Sequence, residues 1–178
     1  MKKHLSLKQL AVTISDLLNK NGIDAVLSGG ACVTIYTHNK YMSYDLDFVL
    51  LSPTAFEKIN KVMKQIGFKP EGKYFKHDKS PYLVDFLSPP LSVGEEPVKK
   101  IEELKEGEKI LRLLSPTDCV KDRLAAFYHW NDQQCLEQAV LVCENQKVNL
   151  KEVQRWSKKE GMSQKFEVFK SNLKASGS

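Results

Sequence analysis

The sequence predicts an α/β half over residues 1–114, followed by an all-helical half over residues 115–178. Two observations carry this reading. Up to residue 114, apolar runs of strand length alternate with segments whose apolar residues recur at helical spacing. At Ser115-Pro116-Thr117-Asp118 the pattern changes. A capping Ser, a Pro at the first helical position and an acid in the first turn together start a helix, and only helical patterns follow. With 178 residues the chain can bury roughly 70% of its unfolded surface. Its 42% hydrophobic and 28% charged residues exclude a disordered or fibrous protein.

Taken in order, residues 5–20 read as a helix. Leu7, Leu10, Ile14, Leu17 and Leu18 form one stripe, and Asn21-Gly22 stops it. Residues 24–27 form a short buried strand running into Ser28-Gly29-Gly30, and a short helix over about 31–37 comes next. Residues 45–51 are a strand by apolar content and length. Ser52 as cap and Pro53 at the first position predict a third helix, with Phe56, Ile59, Val62, Met63 and Ile66 inward and Gly67 as its end. Residues 73–77 and 82–87 read as extended segments around an Asp78-Lys79-Ser80-Pro81 turn. The stretch with Pro89-Pro90, Gly94 and Pro97 reads as a loop, and residues 98–104 and 109–114 as edge strands. Beyond Ser115, residues 120–127, 136–142, 148–156 and 166–173 carry helical patterns.

Several function classes drop out early. No run of apolar residues is long enough for a membrane-spanning helix. Lys8 and Asp16 interrupt any secretory apolar region after the basic start. The cysteines Cys32, Cys119, Cys135 and Cys143 show neither a CxxC pair nor zinc spacing with the histidines. His38, His77 and His129 have no companion at ligand spacing. Reduced thiols in a cytoplasmic protein are the expectation. The net charge of +5 is unevenly placed. Residues 1–146 carry 19 basic and 19 acidic side chains, whereas residues 147–178 carry 8 basic and 3 acidic ones.

The informative stretch is Ser28-Gly29-Gly30, fourteen residues, then Asp45-Leu46-Asp47-Phe48. Residues i and i+2 of a strand share a face, so Asp45 and Asp47 lie side by side. Two carboxylates that close repel by up to about 4 kcal/mol at an effective dielectric of about 20. A divalent cation removes the repulsion, and Mg2+ favours one or two carboxylates together with substrate phosphates. Asp85 stands in an otherwise apolar strand, where an unpartnered carboxylate is costly to bury. If the two strands are neighbours, three carboxylates converge on one site suited to phosphoryl or nucleotidyl transfer. Gly29-Gly30 lets the backbone approach a triphosphate at a helix N-terminus, and Ser28 offers a hydroxyl. Separately, each part has a plainer reading as a turn, a solvated strand end or a lysine-paired acid. Their occurrence in this order is what points to chemistry.

This pattern, with its glycine pair, DhDh and later strand carboxylate, resembles the nucleotidyltransferase (polymerase β-like) superfamily over roughly residues 20–140. Within it the chain is similar to the small AbiEii- and MenT-type toxins and their relatives. The resemblance implies a small mixed β-sheet with flanking helices, the helical half packed on it, and nucleotide at the sheet edge. It implies that Asp45, Asp47 and Asp85 hold Mg2+ or Mn2+, with Asp85 also a candidate base, and that Gly29 and Gly30 hold the phosphates of an NTP. The toxin pattern R-x-S-x-D is matched at Ser43 and Asp45, but Tyr41 stands where the Arg would be, with Lys40 beside it. A lysine of a Lys-Leu-x-Ala helix corresponds to Arg123 by register or Lys121 by chemistry, about 200° apart around the helix. Both read equally as amphipathic-helix charges, and Asp132 matches a later acid.

The basic excess of the tail includes Lys151, Arg155, Lys158 and Lys159, at i, i+4, i+7 and i+8 on one helix face. Such a stripe is either a solvated face or a contact for the phosphates of a tRNA or other RNA. The functional expectation is a Mg-dependent transfer of NMP from an NTP to an acceptor, RNA first among them. The resemblance adds a toxin–antitoxin or phage-defence setting with a cognate antitoxin. The alternatives are a catalytically quiet binding module on the same fold, or transfer to a small molecule or a protein side chain.

Overall fold

The computed structural model describes residues 4–177. Helix α1 (Leu7–Lys20) begins at a reciprocal cap. The Gln9 amide N–H donates to Ser6 Oγ at 3.2 Å, and the Ser6 N–H donates to Gln9 Oε1 at 2.9 Å. Its stripe of Leu7, Leu10, Ala11, Ile14 and Leu18 is buried against β1 (Ala25–Ser28) and β9 (Lys109–Leu114). Each such large aliphatic side chain contributes about 1.5–3 kcal/mol relative to exposure.

The chain runs β1, α2 (Gly29–Tyr36), β2 (Asp45–Leu50), α3 (Phe56–Lys64), β3 (Lys69–Glu71), β4 (Tyr74–Lys76) and β5 (Leu83–Leu87). A small hairpin of β6 (Ser92–Val93) and β7 (Glu96–Pro97) precedes β8 (Ile101–Glu106) and β9. The main sheet has the order β3-β4-β5-β2-β1-β9-β8. Strand β1 pairs antiparallel with β2 and parallel with β9, and β2 pairs parallel with β5. The expected mixed sheet with flanking helices is therefore present.

Four helices follow: α4 (Pro116–Trp130), α5 (Gln133–Asn145), α6 (Leu150–Lys159) and α7 (Ser163–Ser176). Ser115 caps α4 as its sequence predicts, accepting from the Asp118 N–H at 3.1 Å. The α4–α5 pair packs on α2, and Gln146 Nε2 donates to the Tyr36 carbonyl that ends α2, at 2.9 Å. Trp156 is fully buried, and its Nε1 donates to the Val93 carbonyl at 3.1 Å. One cluster of buried side chains extends from Leu7 to Phe169, so both halves of the chain share a core.

Some elements differ from expectation. Helix α3 starts at Phe56 after Ala55, without a side-chain cap, rather than at Ser52-Pro53. The Leu51 N–H donates to the Asp24 carbonyl at 2.9 Å, which prolongs the sheet pairing and holds the chain extended there. The proline-rich stretch contains the β6–β7 hairpin, anchored by Trp156. Strand β9 is interior, between β1 and β8, with Leu111 and Leu113 fully buried, so of the two strands expected at an edge β8 is one and β9 is not. Strand β3 went unread because Lys69-Pro70-Glu71 is exposed throughout and carries no apolar alternation. All four cysteines are free, and among the described residues no helix is long and apolar enough to cross a membrane.

Candidate active site

The register of β2 against β5 decides the geometry of the acids. Asp47 lies directly opposite Asp85, and Ser28 of β1 lies opposite Asp47 on the other side. Ser28, Asp47 and Asp85 thus form a row across adjacent strands, with Asp45 two residues earlier on β2. Asp45 is exposed, Asp47 half-buried, and Asp85 only 6% exposed. Burial pushes the Asp47 carboxyl up to about 6, and the neighbouring charges of Asp85 and Asp45 add to the shift. Among the described residues one cation pairs with Asp85: Lys73 Nζ, at 3.6 Å from its Oδ2.

Gly29 opens α2 with φ +67°, a backbone that side-chain-bearing residues rarely adopt. A Cβ there would sit 2.9 Å from Asp47 Oδ2 and 3.7 Å from Arg123 Nη2. At Gly30 a Cβ would meet Ser43 Oγ at 3.3 Å and the Tyr41 ring at 3.4 Å. The glycine pair therefore lets the chain's own Asp47, Tyr41 and Ser43 close onto the start of α2. Ser28 Oγ donates to the Asp47 carbonyl at 3.3 Å and does not cap the helix. Ser43 fixes the entry to β2: its Oγ donates to the Asp45 carbonyl at 3.0 Å and accepts from the Asp45 N–H at 3.2 Å.

Of the two cations considered on α4, Arg123 is the one beside Gly29. Burial works against its charge, but the Asp122 carboxylate, 2.6 Å from Nη2, more than offsets this and raises its pKa. Lys121, 6% exposed, is taken up by Glu152 at 2.9 Å and Asp118 at 3.6 Å, tying α4 to α6. Asp132 caps α5, accepting from the Cys135 N–H at 3.1 Å. The structure thus brings Asp47, Gly29 and Arg123 together and engages Lys121 and Asp132 in holding helices.

The tail stripe is half consumed in the same way. Arg155 forks onto Glu96 at 3.0 and 2.8 Å and also bonds Glu152, while Lys159 reaches Glu96 at 3.0 Å. Arg155 and Lys159 hold the Glu96 carboxyl down to about 2. Lys151 and Lys158 are exposed and make no ion pair among the described residues.

Among the described residues, no three acidic, histidine or cysteine side chains already close around one point. The donor chemistry of Asp45, Asp47 and Asp85 nonetheless fits a hard divalent cation. All are carboxylates, two are register neighbours, and the Asp47 pKa is raised by burial first and then by the charges of Asp85 and Asp45. Sequence reasoning missed the packing of Tyr41 on Gly30 and the hydrogen bond from Arg123 to Gln138. Tyr41 stood out only as a departure from a motif, and Gln138 resembled any polar helix residue.

No protein-family model and no curated protein matches the sequence. The fold does have counterparts among solved structures. An antigenic nucleotidyltransferase-like protein from Paracoccidioides brasiliensis superposes with a TM-score of 0.58 at 13% identity, over 76% of this chain and 74% of that one. The antibiotic-resistance factor ANT(2'')-Ia superposes with a TM-score of 0.51 at 12% identity, over 97% of this chain and 98% of that one. The architecture is thus that of nucleotidyltransferase-like proteins.

Proposed function

We propose that this protein is a nucleotidyltransferase that moves an NMP from an NTP to an acceptor hydroxyl. The observation that carries the reading is the facing of Asp47 and Asp85 on parallel strands beside Gly29 at the start of α2. Asp45, Asp47 and Asp85 would hold Mg2+ or Mn2+. A divalent ion there supplies charge neutralisation and polarisation of phosphoryl oxygens. The acceptor oxygen bonds to the α-phosphorus, the bond to the bridging α–β oxygen breaks, and its electron pair leaves with pyrophosphate. Asp85 is the carboxylate assigned to take the hydroxyl proton. The free N–H groups of the first turn of α2 and the Arg123 guanidinium bind the phosphates, while Ser28 and Ser43 hold the two strand ends in place.

For the acceptor, a tRNA or other RNA is the first reading, supported by the outward Lys151 and Lys158. The sequence resemblance extends this to an AbiEii/MenT-like toxin with a cognate antitoxin. A small-molecule acceptor is the second reading. It is favoured by the pairing of Arg155 and Lys159 with Glu96, which removes half the stripe from RNA binding, and by the likeness in fold to an antibiotic-resistance factor.

The test is incubation with each labelled NTP, Mg2+ and total RNA or small polyhydroxylated amines, beside an Asp45→Asn/Asp47→Asn control. Label on RNA that vanishes in the control supports the first reading, and label on the amines supports the second. No transfer to any acceptor, with no NTP–Mg2+ binding by calorimetry, overturns the enzyme reading and leaves a quiet module.

A further inference from the structure

The row of polar residues does not end at Asp85. Tyr74 of β4 lies directly opposite Asp85, and Glu71 of β3 lies opposite Tyr74. Ser28, Asp47, Asp85, Tyr74 and Glu71 therefore cross five strands on one face of the sheet. The far face of the β3–β4 hairpin is covered: Phe75 is buried, stacked on Phe56 of α3 and edge-on to Phe86. The near face is open. Lys69, Glu71 and Lys76 are exposed, Tyr74 is half-buried, and Leu87, two residues past Asp85 on β5, is exposed as well.

Three lysines share this face with the Tyr74 ring. Lys69 and Lys76 are direct register partners, and like charges so placed repel. Lys76 is taken by Glu71 at 2.6 Å, whereas Lys69 makes no ion pair among the described residues. Lys73, at the hairpin tip, lies over the Tyr74 ring, 4.8 Å from its centroid, and reaches Asp85 at 3.6 Å. The hairpin thus sets three cations and one anion around an aromatic ring. That is the chemistry of a surface for single-stranded nucleic acid, where lysines meet phosphates and a ring stacks on a base. The same face repels a polycationic amine.

Its position suits an acceptor. The nucleotide phosphates are assigned to the start of α2 and to Arg123, at the β1 end of the row. In-line attack brings the acceptor oxygen from the other end, where β4 adjoins Asp85. Tyr74 stands one strand spacing, about 5 Å, from Asp85.

We infer that the open face of β3–β4 is the acceptor surface and that its occupant is the hydroxyl-bearing end of a single-stranded RNA. This rests on the nucleotidyltransferase reading and deepens it. A base stacks on Tyr74, and Lys69 and Lys73 meet the phosphates beside it. Lys73 exchanges the Asp85 carboxylate for a phosphate when a divalent cation occupies the acids.

The test is binding of a fluorescent pentanucleotide RNA, read by anisotropy over a range of salt in Mg2+, with NTP–Mg2+ calorimetry alongside. The proteins are the wild type, Lys69→Gln/Lys73→Gln and Tyr74→Leu, each checked by its melting temperature. Tyr74→Leu weakens RNA binding by about tenfold. Lys69→Gln/Lys73→Gln lowers the slope of log affinity against log salt by about 1.4. In chelator, where Lys73 stays on Asp85, the drop is about half as large. Neither variant weakens NTP–Mg2+ binding. Wild-type RNA affinity and salt slope in both variants, or a matching loss of NTP–Mg2+ binding, overturn the inference alone. So does a wild type that labels amines without binding RNA. Wild-type protein that binds neither RNA nor NTP–Mg2+ overturns the inference and the enzyme reading together.

Discussion

Two charge clusters in this molecule are built on opposite plans. On α6 and the β6–β7 hairpin, Glu96 and Glu152 meet Arg155, Lys159 and Lys121, and each acid has two basic partners. On β2 and β5, Asp45, Asp47 and Asp85 stand together, with Lys73 paired to Asp85, and with Arg123, itself paired to Asp122, offsetting only part of the rise at Asp47. The signs of the pKa shifts follow. Glu96 and Glu152 are each pulled down to about 2 by hydrogen bonds from their cations, whereas Asp47 is pushed up to about 6 by burial and its neighbours. The first cluster stabilises the fold by itself. The second carries the cost of burying a charge among like charges, and the proposed metal-binding role draws on that asymmetry.

Breaking the acidic cluster gives the largest expected effect. Asp47→Asn lowers transfer by about 10²–10³-fold or more, read as label incorporation. The same change stabilises the metal-free protein. Asp47 binds its proton more tightly folded, at about 6, than at its ordinary 3.8, so its charge costs stability as pH rises through that interval. The stability gap between Asp47→Asn and wild type opens above about pH 4 and levels off past about pH 6, at about 2–3 kcal/mol. Urea melts at pH 4 and pH 7 in a chelator measure it, and a gap that does not grow with pH contradicts the account.

Gly29→Ala comes next. The left-handed backbone costs about 1–2 kcal/mol with a Cβ, and that Cβ displaces Asp47 Oδ2 from 2.9 Å. Both melting temperature and transfer fall. Gly72→Ala at φ +62°, where nothing lies within 4 Å, separates the two effects, because it lowers stability alone.

On the paired cluster, Glu96→Gln costs about 1 kcal/mol, near the upper end for exposed ion pairs, and leaves transfer unchanged. Wild-type stability from Glu96 and Glu152 is present above about pH 4.5 and is lost as pH falls toward 2, because the folded acids hold their protons less tightly. Glu96→Gln flattens that acid limb. The smallest effect is on RNA. Lys151→Gln/Lys158→Gln reduces the slope of log affinity against log salt by about 1.4–1.8 without a change in melting temperature. Neutralising Arg155 and Lys159 lowers the melting temperature too.

The division between legible and illegible follows the same comparison. The DxD spacing, the glycine pair and the buried Asp85 were readable because local rules govern them: strand alternation, turn chemistry and the cost of burying an acid. The helix start at Ser115-Pro116 was readable for the same reason. What could not be read depended on partners distant in sequence. Lys121 and Arg123 looked equivalent until Glu152, 31 residues on, claimed one of them. Arg155 read as part of a solvated face or an RNA contact until Glu96, 59 residues back, met it. Strand β9 seemed an edge because its parallel pairing with β1 leaves no trace in its own residues.

The central claim is that the acids on β2 and β5 form a cluster completed by a divalent cation. The most direct measurement is the melting temperature of wild type and of Asp45→Asn/Asp47→Asn in chelator, in Mg2+, and in Mg2+ with NTP. The variant should melt higher than wild type in chelator, and wild type should rise with Mg2+ and further with NTP while the variant stays flat. A wild type indifferent to both additions, or a variant that responds equally, would contradict the claim.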